Sequence, residues 1–541
     1  MKTETEVLNQ DHLKQDEAPF RLDRRELMKL GAGAAGLAAL AAAPAAAQEG
    51  GRREAEAPPA PGSMRLPGAI APFTGPGYKN TYNRLGANGP MDDTTAKIVK
   101  YVASFKDSDV TAASKKQFDR TMLDSMASVI AGFEEDGPRL AAKIARLSPP
   151  GKEKCTVLGY NIATTPELAT FANGCLIREV DFDDTENGGH YSTVIPAALA
   201  VGEALHCSGA QVMAAITIAY ELQAVSVGGE PVVAAVAAGR LMGLDEDRMA
   251  NAITLALTPH VALNKGVGAL SMWKGMRSAE SAKCGVWAAI MAREGVTGPP
   301  QPYEGRGGYW SYVGANGRGM QRNGMARPFT LPVNADSQVI QFNWFKRRPA
   351  EASSQGILYV MPEIRAFVKP NEIAHIHWDT SYGNWEEICD PPKWDPRNRQ
   401  TADHSLPYIV ARAIMDGDVY MDSFTEDKYM DPVARGIMDK TTMAGVNGWS
   451  GNGTGRLTIT KTNGEVKVWE TYDGRRTLDN SDYPSLTEQE LRAKFDRAAA
   501  FKKVTNAQRD QAFKVWGDLS SLSDIGIAMK QMATFGQPKP L

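Results

Sequence analysis

Cysteine is scarce in this chain. Five are spread over 541 residues, at positions 155, 175, 207, 284 and 389, and no two are close enough for a C-x-x-C pair. That spacing excludes a zinc ribbon, a cysteine-held iron–sulfur cluster and a dense disulfide framework. Buried free thiols are the expected state, with room for one disulfide in an oxidising compartment. Charge of one sign is lacking too. Sixty basic and 63 acidic residues leave a net charge of −3, and the basic ones form no block, so a nucleic-acid partner has no footprint. The apolar stretch Leu30 to Ala43 falls short of the roughly 20 residues that a membrane span needs. The glycine-rich segment Gly298 to Gly308 lacks the Lys-Ser/Thr of a phosphate loop and reads as a bend between helices. Nothing here calls for a cofactor or a metal.

What is present is the composition of a globular protein, 43% hydrophobic and 23% charged, in a chain long enough for two domains or more. The N-terminus differs in kind. Asp23 to Lys29, with Arg24 and Arg25 paired, precedes the Ala/Gly/Leu stretch, and Ala45 to Ala47 offer small residues for cleavage. Residues 1–47 therefore read as a signal peptide of twin-arginine type, which places the mature protein in the periplasm by way of the export machinery. Residues 48–91, rich in Pro, Gly and Ala, read as a linker or loose arm.

Beyond them the pattern turns helical. Phe118, Met122, Met126 and Ile130 recur every four residues, and Ser208 with Gln211 forms a capping box ahead of the apolar run Val212 to Leu222. Residues 92–344 read as a mainly helical domain. After Lys346 the composition shifts: Ile373, His375 and His377 alternate as in a strand, and Asn463-Gly464 between two β-rich runs signals a hairpin. Residues 345–484 thus read as a smaller α/β domain, and the capping box Thr487–Glu490 opens a helical return over 485–541. The expected fold class is mainly α with an α+β lid.

The densest chemistry lies in Asp181-Phe182-Asp183-Asp184-Thr185, closed by His190 and followed by a buried helix with Pro196 near its start. Three carboxylates, a hydroxyl and an imidazole in ten residues suit proton transfer or metal binding. Ordinary turn and cap residues would read the same way.

This loop resembles that of the MmgE/PrpD family, and so do Ser271 to Gly275, Phe345 to Ala350 and Trp394 to Tyr408, in the same order along the chain. The resemblance implies a cofactor-independent lyase for a small carboxylate, built from a helical domain and an inserted α/β lid, commonly as a homodimer. It implies Asp181, Thr185, His190, Lys274, Lys346 and Tyr408 as site residues. His190 would shuttle protons with Asp181 orienting it, Lys274 and Lys346 would hold carboxylates together with Arg347, Tyr408 would donate a proton, and Thr185 would position substrate. Dehydration of a 2-methylcitrate-like acid is the leading reaction, with decarboxylation, epimerisation or isomerisation as alternatives. A periplasmic carboxylate-binding protein without turnover is the reading from another class. The pattern departs from the family after Lys346, where Arg348-Pro349-Ala350-Glu351 puts an acid in place of a neutral or positive group. Asp403-His404 reads as a helix cap rather than a second acid–base pair, and His375 and His377 as structural.

Overall fold

The computed structural model describes residues 91–185, 189–260, 268–305, 308–310, 329–449, 454–471 and 486–541. The expected signal peptide, the arm up to residue 90 and Gly188 lie outside them. The described residues fall within one packed unit, mainly helical with a small α/β region.

Helices come first because capping and apolar spacing dictate them. In chain order they are α1 Asp93–Ser104, α2 Ala112–Gly132, α3 Asp136–Ala145, α4 Pro166–Arg178, α5 Ile195–Ala204, α6 Gly209–Ala224, α7 Glu230–Leu241, α8 Glu246–Leu257 and α9 Trp273–Arg293. Ser208 accepts from the Gln211 N–H while the Gln211 side chain answers the Ser208 N–H, so α6 starts where the capping box requires. Along α2, Phe118, Met122, Met126 and Ile130 are all fully buried, each burial worth roughly 1.5–3 kcal/mol. Small residues let α9 lie close to its neighbours. A Cβ on Gly285 would fall 2.3 Å from the Pro231 carbonyl of α7, and one on Gly174 of α4 would fall 2.7 Å from the Ala279 Cβ. No described helix is long and apolar enough to cross a membrane.

A two-stranded ribbon, β1 Cys155–Val157 and β2 Ile162–Thr164, sits among the helices. The second region carries a four-stranded sheet of β3 Ile373–Ser381, β4 Thr441–Val446, β5 Gly455–Lys461 and β6 Val466–Thr471, in the order β4-β3-β5-β6. Strand β3 runs parallel to β4 and antiparallel to β5, and the β5–β6 hairpin turns at Asn463-Gly464, with Gly464 at φ +88°. His375 and His377 lie on β3, and both bond the Thr442 hydroxyl. Helix α10, Leu406–Asp416, supports the sheet region, and α11 Glu488–Phe501 and α12 Asn506–Trp516 return to the helical half.

Apolar side chains gather in two large clusters. One takes residues from Ile98 to Phe345 and from Leu486 to Phe535, with Tyr420 and Met421; the other runs from Ala350 to Trp469. The chain crosses between them at 345–350, where Lys346 lies. All five cysteines are free, and four are buried.

Candidate active site

Helix α4 ends at Arg178, and the chain turns sharply so that Asp181 adopts φ +52°. A short polar side chain tolerates this left-handed backbone better than most. The turn sends the Asp181 carboxylate inward among cations. Lys346 Nζ donates to Asp181 Oδ2 at 2.7 Å and to the Asp181 carbonyl at 3.0 Å. Lys274 Nζ stands 3.2 Å and the Arg178 guanidinium 3.3 Å from Oδ1. Burial alone would raise the Asp181 pKa, but Lys274, Lys346, His404 and Arg178 outweigh it and hold it well below the usual carboxylate range.

Lys346 arrives from the other side through backbone pairing. Thr185 N–H donates to the Trp344 carbonyl at 2.9 Å, and Trp344 N–H returns the bond at 3.3 Å. This antiparallel bridge lays the acidic loop beside the crossing segment. Lys494 on α11 then locks both. Its ammonium donates to Asp124 Oδ1 of α2 (2.6 Å), to the Phe182 carbonyl (2.6 Å) and to the Lys346 carbonyl (2.9 Å). An ammonium has three protons, and here each holds a different segment. Lys494→Met is expected to cost about 3–5 kcal/mol of stability, read as a lower urea midpoint. Adding Asp124→Asn should recover part of the loss, because Asp124, pushed up to about 7 mainly by burial, is the charge left stranded.

The remaining carboxylates are satisfied within the loop. Asp183 bonds Arg178 and accepts from the Ser192 hydroxyl at 2.9 Å. Asp184 accepts from the Ser192 N–H at 3.0 Å and from the Tyr220 hydroxyl at 2.8 Å. Burial, then the charge of Asp183, raises Asp184. His190 Nδ1 lies 2.6 Å from the Asp184 carbonyl. A carbonyl only accepts, so Nδ1 carries the hydrogen and the neutral ring presents a bare Nε2 lone pair, 3.8 Å from Asp181 Oδ1. Burial and then the Arg178 charge push the His190 pKa down to about 3. The ring is thus held by the Asp184 carbonyl, and Asp181, expected to orient it, lies 3.8 Å from Nε2.

Lys274 opens α9 and differs from the other buried cations. It lies 3.2 Å from Asp181 and 3.7 Å from Asp403 Oδ1, yet among the described residues its buried Nζ has no hydrogen bond. Its donors are unspent, which suits an incoming anion. Next to it, His404 Nδ1 meets Asp403 Oδ1 at 2.7 Å. Asp403 does cap a helix, closing the short turn Arg399–Ala402 with its backbone N–H, while Ser405 caps α10 by accepting from the Tyr408 N–H.

Two expected members stand apart from this network. The Tyr408 hydroxyl donates to the Ser423 carbonyl, and the ring is buried against Phe424 within the second apolar cluster. Arg347 pairs with Glu490 at 2.9 Å and lies over the Tyr359 ring. Its side chain thus points to α11, away from the Asp181 carboxylate that Lys346 meets. Glu351 caps a short turn, accepting from Ser353 N–H at 2.7 Å, and its own N–H donates to the Asp403 carbonyl at 3.0 Å. Burial, then the Glu387 charge, raises it to about 7, while Lys346 acts in the opposite direction. Glu179 is likewise raised to about 7 by burial, and one of its oxygens is unbonded.

Among the described residues Asp183, Asp184 and His190 place potential ligand atoms within 4.8 Å of one another. The carboxylates are engaged by Ser192 and Tyr220 and His190 Nδ1 by the Asp184 carbonyl, which leaves Nε2, and Arg178 adds a repelling charge. The donor set does not fit a cation.

A buried aspartate among lysines, two imidazoles and one ammonium with no hydrogen bond among the described residues meet here. The chain belongs to the MmgE/PrpD family: residues 96–319 match the MmgE/PrpD N-terminal domain and residues 349–518 the MmgE/PrpD C-terminal domain. It is 23% identical over 462 residues to the cis-aconitate decarboxylase-like protein oryM of Aspergillus oryzae, covering 78% of this chain and 93% of that protein. It is 24% identical to the human cis-aconitate decarboxylase over 361 residues, 59% of this chain and 70% of the human protein. The mouse cis-aconitate decarboxylase is 22% identical over 384 residues, 65% of this chain and 75% of that protein.

Proposed function

We propose that the protein is a carboxylate lyase that removes water from a small hydroxy di- or tricarboxylate of the 2-methylcitrate kind. The observation that carries this reading is the buried, unbonded Lys274 ammonium beside Asp181, within one network with His190 and Lys346. A buried cation with unspent donors is costly unless a ligand uses it, and a substrate carboxylate fits its charge and size. Held there, the substrate would offer the proton on the carbon next to that carboxylate to the bare His190 Nε2, and Lys274 would stabilise the charge that develops. The test is a panel of hydroxy acids, with Lys274→Met expected to weaken binding of citrate, used as a probe, by about 10-fold or more. Unchanged citrate affinity would remove the basis of the reading.

Decarboxylation of an unsaturated tricarboxylate is the second reading, favoured by the names of the relatives. It needs the same carboxylate grip but only one proton donor.

Glu351 bears on the substrate's charge. Below about pH 7 it is neutral and tolerates a polyanion; above, its carboxylate repels one. Citrate affinity is therefore expected to fall as pH rises through about 7, and to stay flat in Glu351→Gln; calorimetric titration at several pH values decides. Export through the signal-like residues 1–47 is part of the proposal. Replacing Arg24 and Arg25 by lysine should leave the protein in the cytoplasmic fraction.

A further inference from the structure

We propose that His404, backed by Asp403, is the second acid–base residue of the site and protonates the departing hydroxyl while His190 takes the carbon-bound proton. This rests on the hydro-lyase reading above and assigns the half of that reaction which His190 cannot perform.

The two imidazoles are built differently. His190 Nδ1 faces a neutral carbonyl, and its flanking carboxylates Asp181 and Asp183 are already claimed by Lys346 and Arg178. That arrangement favours the neutral ring. His404 Nδ1 instead faces a carboxylate, Asp403 Oδ1, at 2.7 Å, and a carboxylate at Nδ1 both fixes the tautomer and stabilises the imidazolium. Asp403 Oδ2 is buried with no hydrogen bond among the described residues, and Lys274, 3.7 Å from Oδ1, shares its charge more loosely than His404 does at 2.7 Å. His404 Nε2 has no hydrogen-bond partner among the described residues. The ring belongs to the Lys274 side of the network: Lys274 lies 3.7 Å from Asp403, and the charges of His404, Lys274 and Asp181 act on one another.

Burial and the Lys274 charge depress His404. A bound carboxylate on Lys274 cancels the second of these, so substrate itself arms the acid. The other charged groups that face it, Asp403 and Asp181, favour protonation.

The step balances. His190 Nε2 accepts the proton from the carbon beside the bound carboxylate, and the C–H pair becomes the new C=C bond. The C–O bond breaks, and the proton on His404 Nε2 passes to the leaving oxygen, which departs as water. Exchange with solvent resets both rings.

Leaving-group dependence tests the assignment. A fluoro-carboxylate in place of the hydroxy acid needs no proton to expel its leaving group. His404→Gln is expected to lose about 10²–10⁴-fold in kcat with the hydroxy acid and under about 10-fold with the fluoro analogue; His190→Gln should lose heavily with both. Equal losses for His404→Gln on the two substrates, or no loss on either, would overturn the proposal. Asp403→Asn guards against a variant that fails to fold, and should reproduce the same selective loss in weaker form. An inert wild type on every hydroxy acid would defeat the hydro-lyase reading instead. The dyad is then read by 15N NMR with citrate: a ring signal of His404 that moves toward the protonated form on binding, and does not in Asp403→Asn, supports it. No movement overturns it.

Discussion

His190→Gln is expected to lower kcat by about 10²–10⁴-fold, the range for removing a positioned acid–base group, with little change in KM or in fold. The ring does not hold the loop together. Among the described residues it makes one bond, to the Asp184 carbonyl, while Asp183 and Asp184 are held by Arg178, Ser192 and Tyr220 without it. Glutamine's amide can still donate to that carbonyl, but it has no lone pair that accepts a carbon-bound proton. Because burial and Arg178 hold His190 at about 3, its basic form persists across the neutral range. A ring NMR titration should therefore show no change of His190 between about pH 5 and 8, against the ~6.5 of a free imidazole. An inflection near that value would remove its role as a permanently neutral base.

The second large effect is expected at Asp181→Asn, which should cost about 3–5 kcal/mol by leaving buried cations uncompensated. Lys346 loses its charged acceptor at 2.7 Å, and Lys274 and Arg178 lose the neutralising charge near 3.2–3.3 Å. Proteins tolerate such a cluster only while it is balanced. The same residue sets the acid limit of the fold. Its folded pKa lies below its unfolded one, so its contribution is fully present above about pH 4 and lost as pH falls through the lower folded value. His190, also depressed, acts in the same direction: its contribution is present above about 6.5 and fades as pH falls toward about 3. Glu179 and Glu351, raised to about 7, act oppositely: their contribution is present below about 4.3 and lost as pH rises through about 7. Urea midpoints measured across pH should fall on the acid side, and Asp181→Asn should flatten that fall. An unchanged midpoint in Asp181→Asn would refute the balance argument.

Much of this arrangement is legible in the sequence, for reasons that differ by residue. The capping boxes at Ser208 and Thr487, the Met122 stripe and the Asn463-Gly464 turn are local signals, and local physics honours them. Asp181, His190, Lys274 and Lys346 are visible through motifs, and the structure brings them into one network. Lys494 is not visible. It lies 148 residues beyond Lys346 in an ordinary charged helix and shows its role only when three distant segments meet. Arg178 and Asp124 are hidden in the same way, one at a helix end and one inside an apolar stripe. Tyr408 is the converse case: its motif is local, but its place in α10 turns its hydroxyl to the Ser423 carbonyl, while His404, just before the helix, pairs with Asp403 beside Lys274.

The central claim is that this site eliminates water and does not release carbon dioxide. The direct measurement is proton and carbon NMR of the purified protein with 2-methylcitrate, citrate and cis-aconitate. The account predicts new vinyl signals from a hydroxy acid with every carboxyl carbon retained. Loss of a carboxyl carbon from cis-aconitate, with the hydroxy acids untouched, would contradict it.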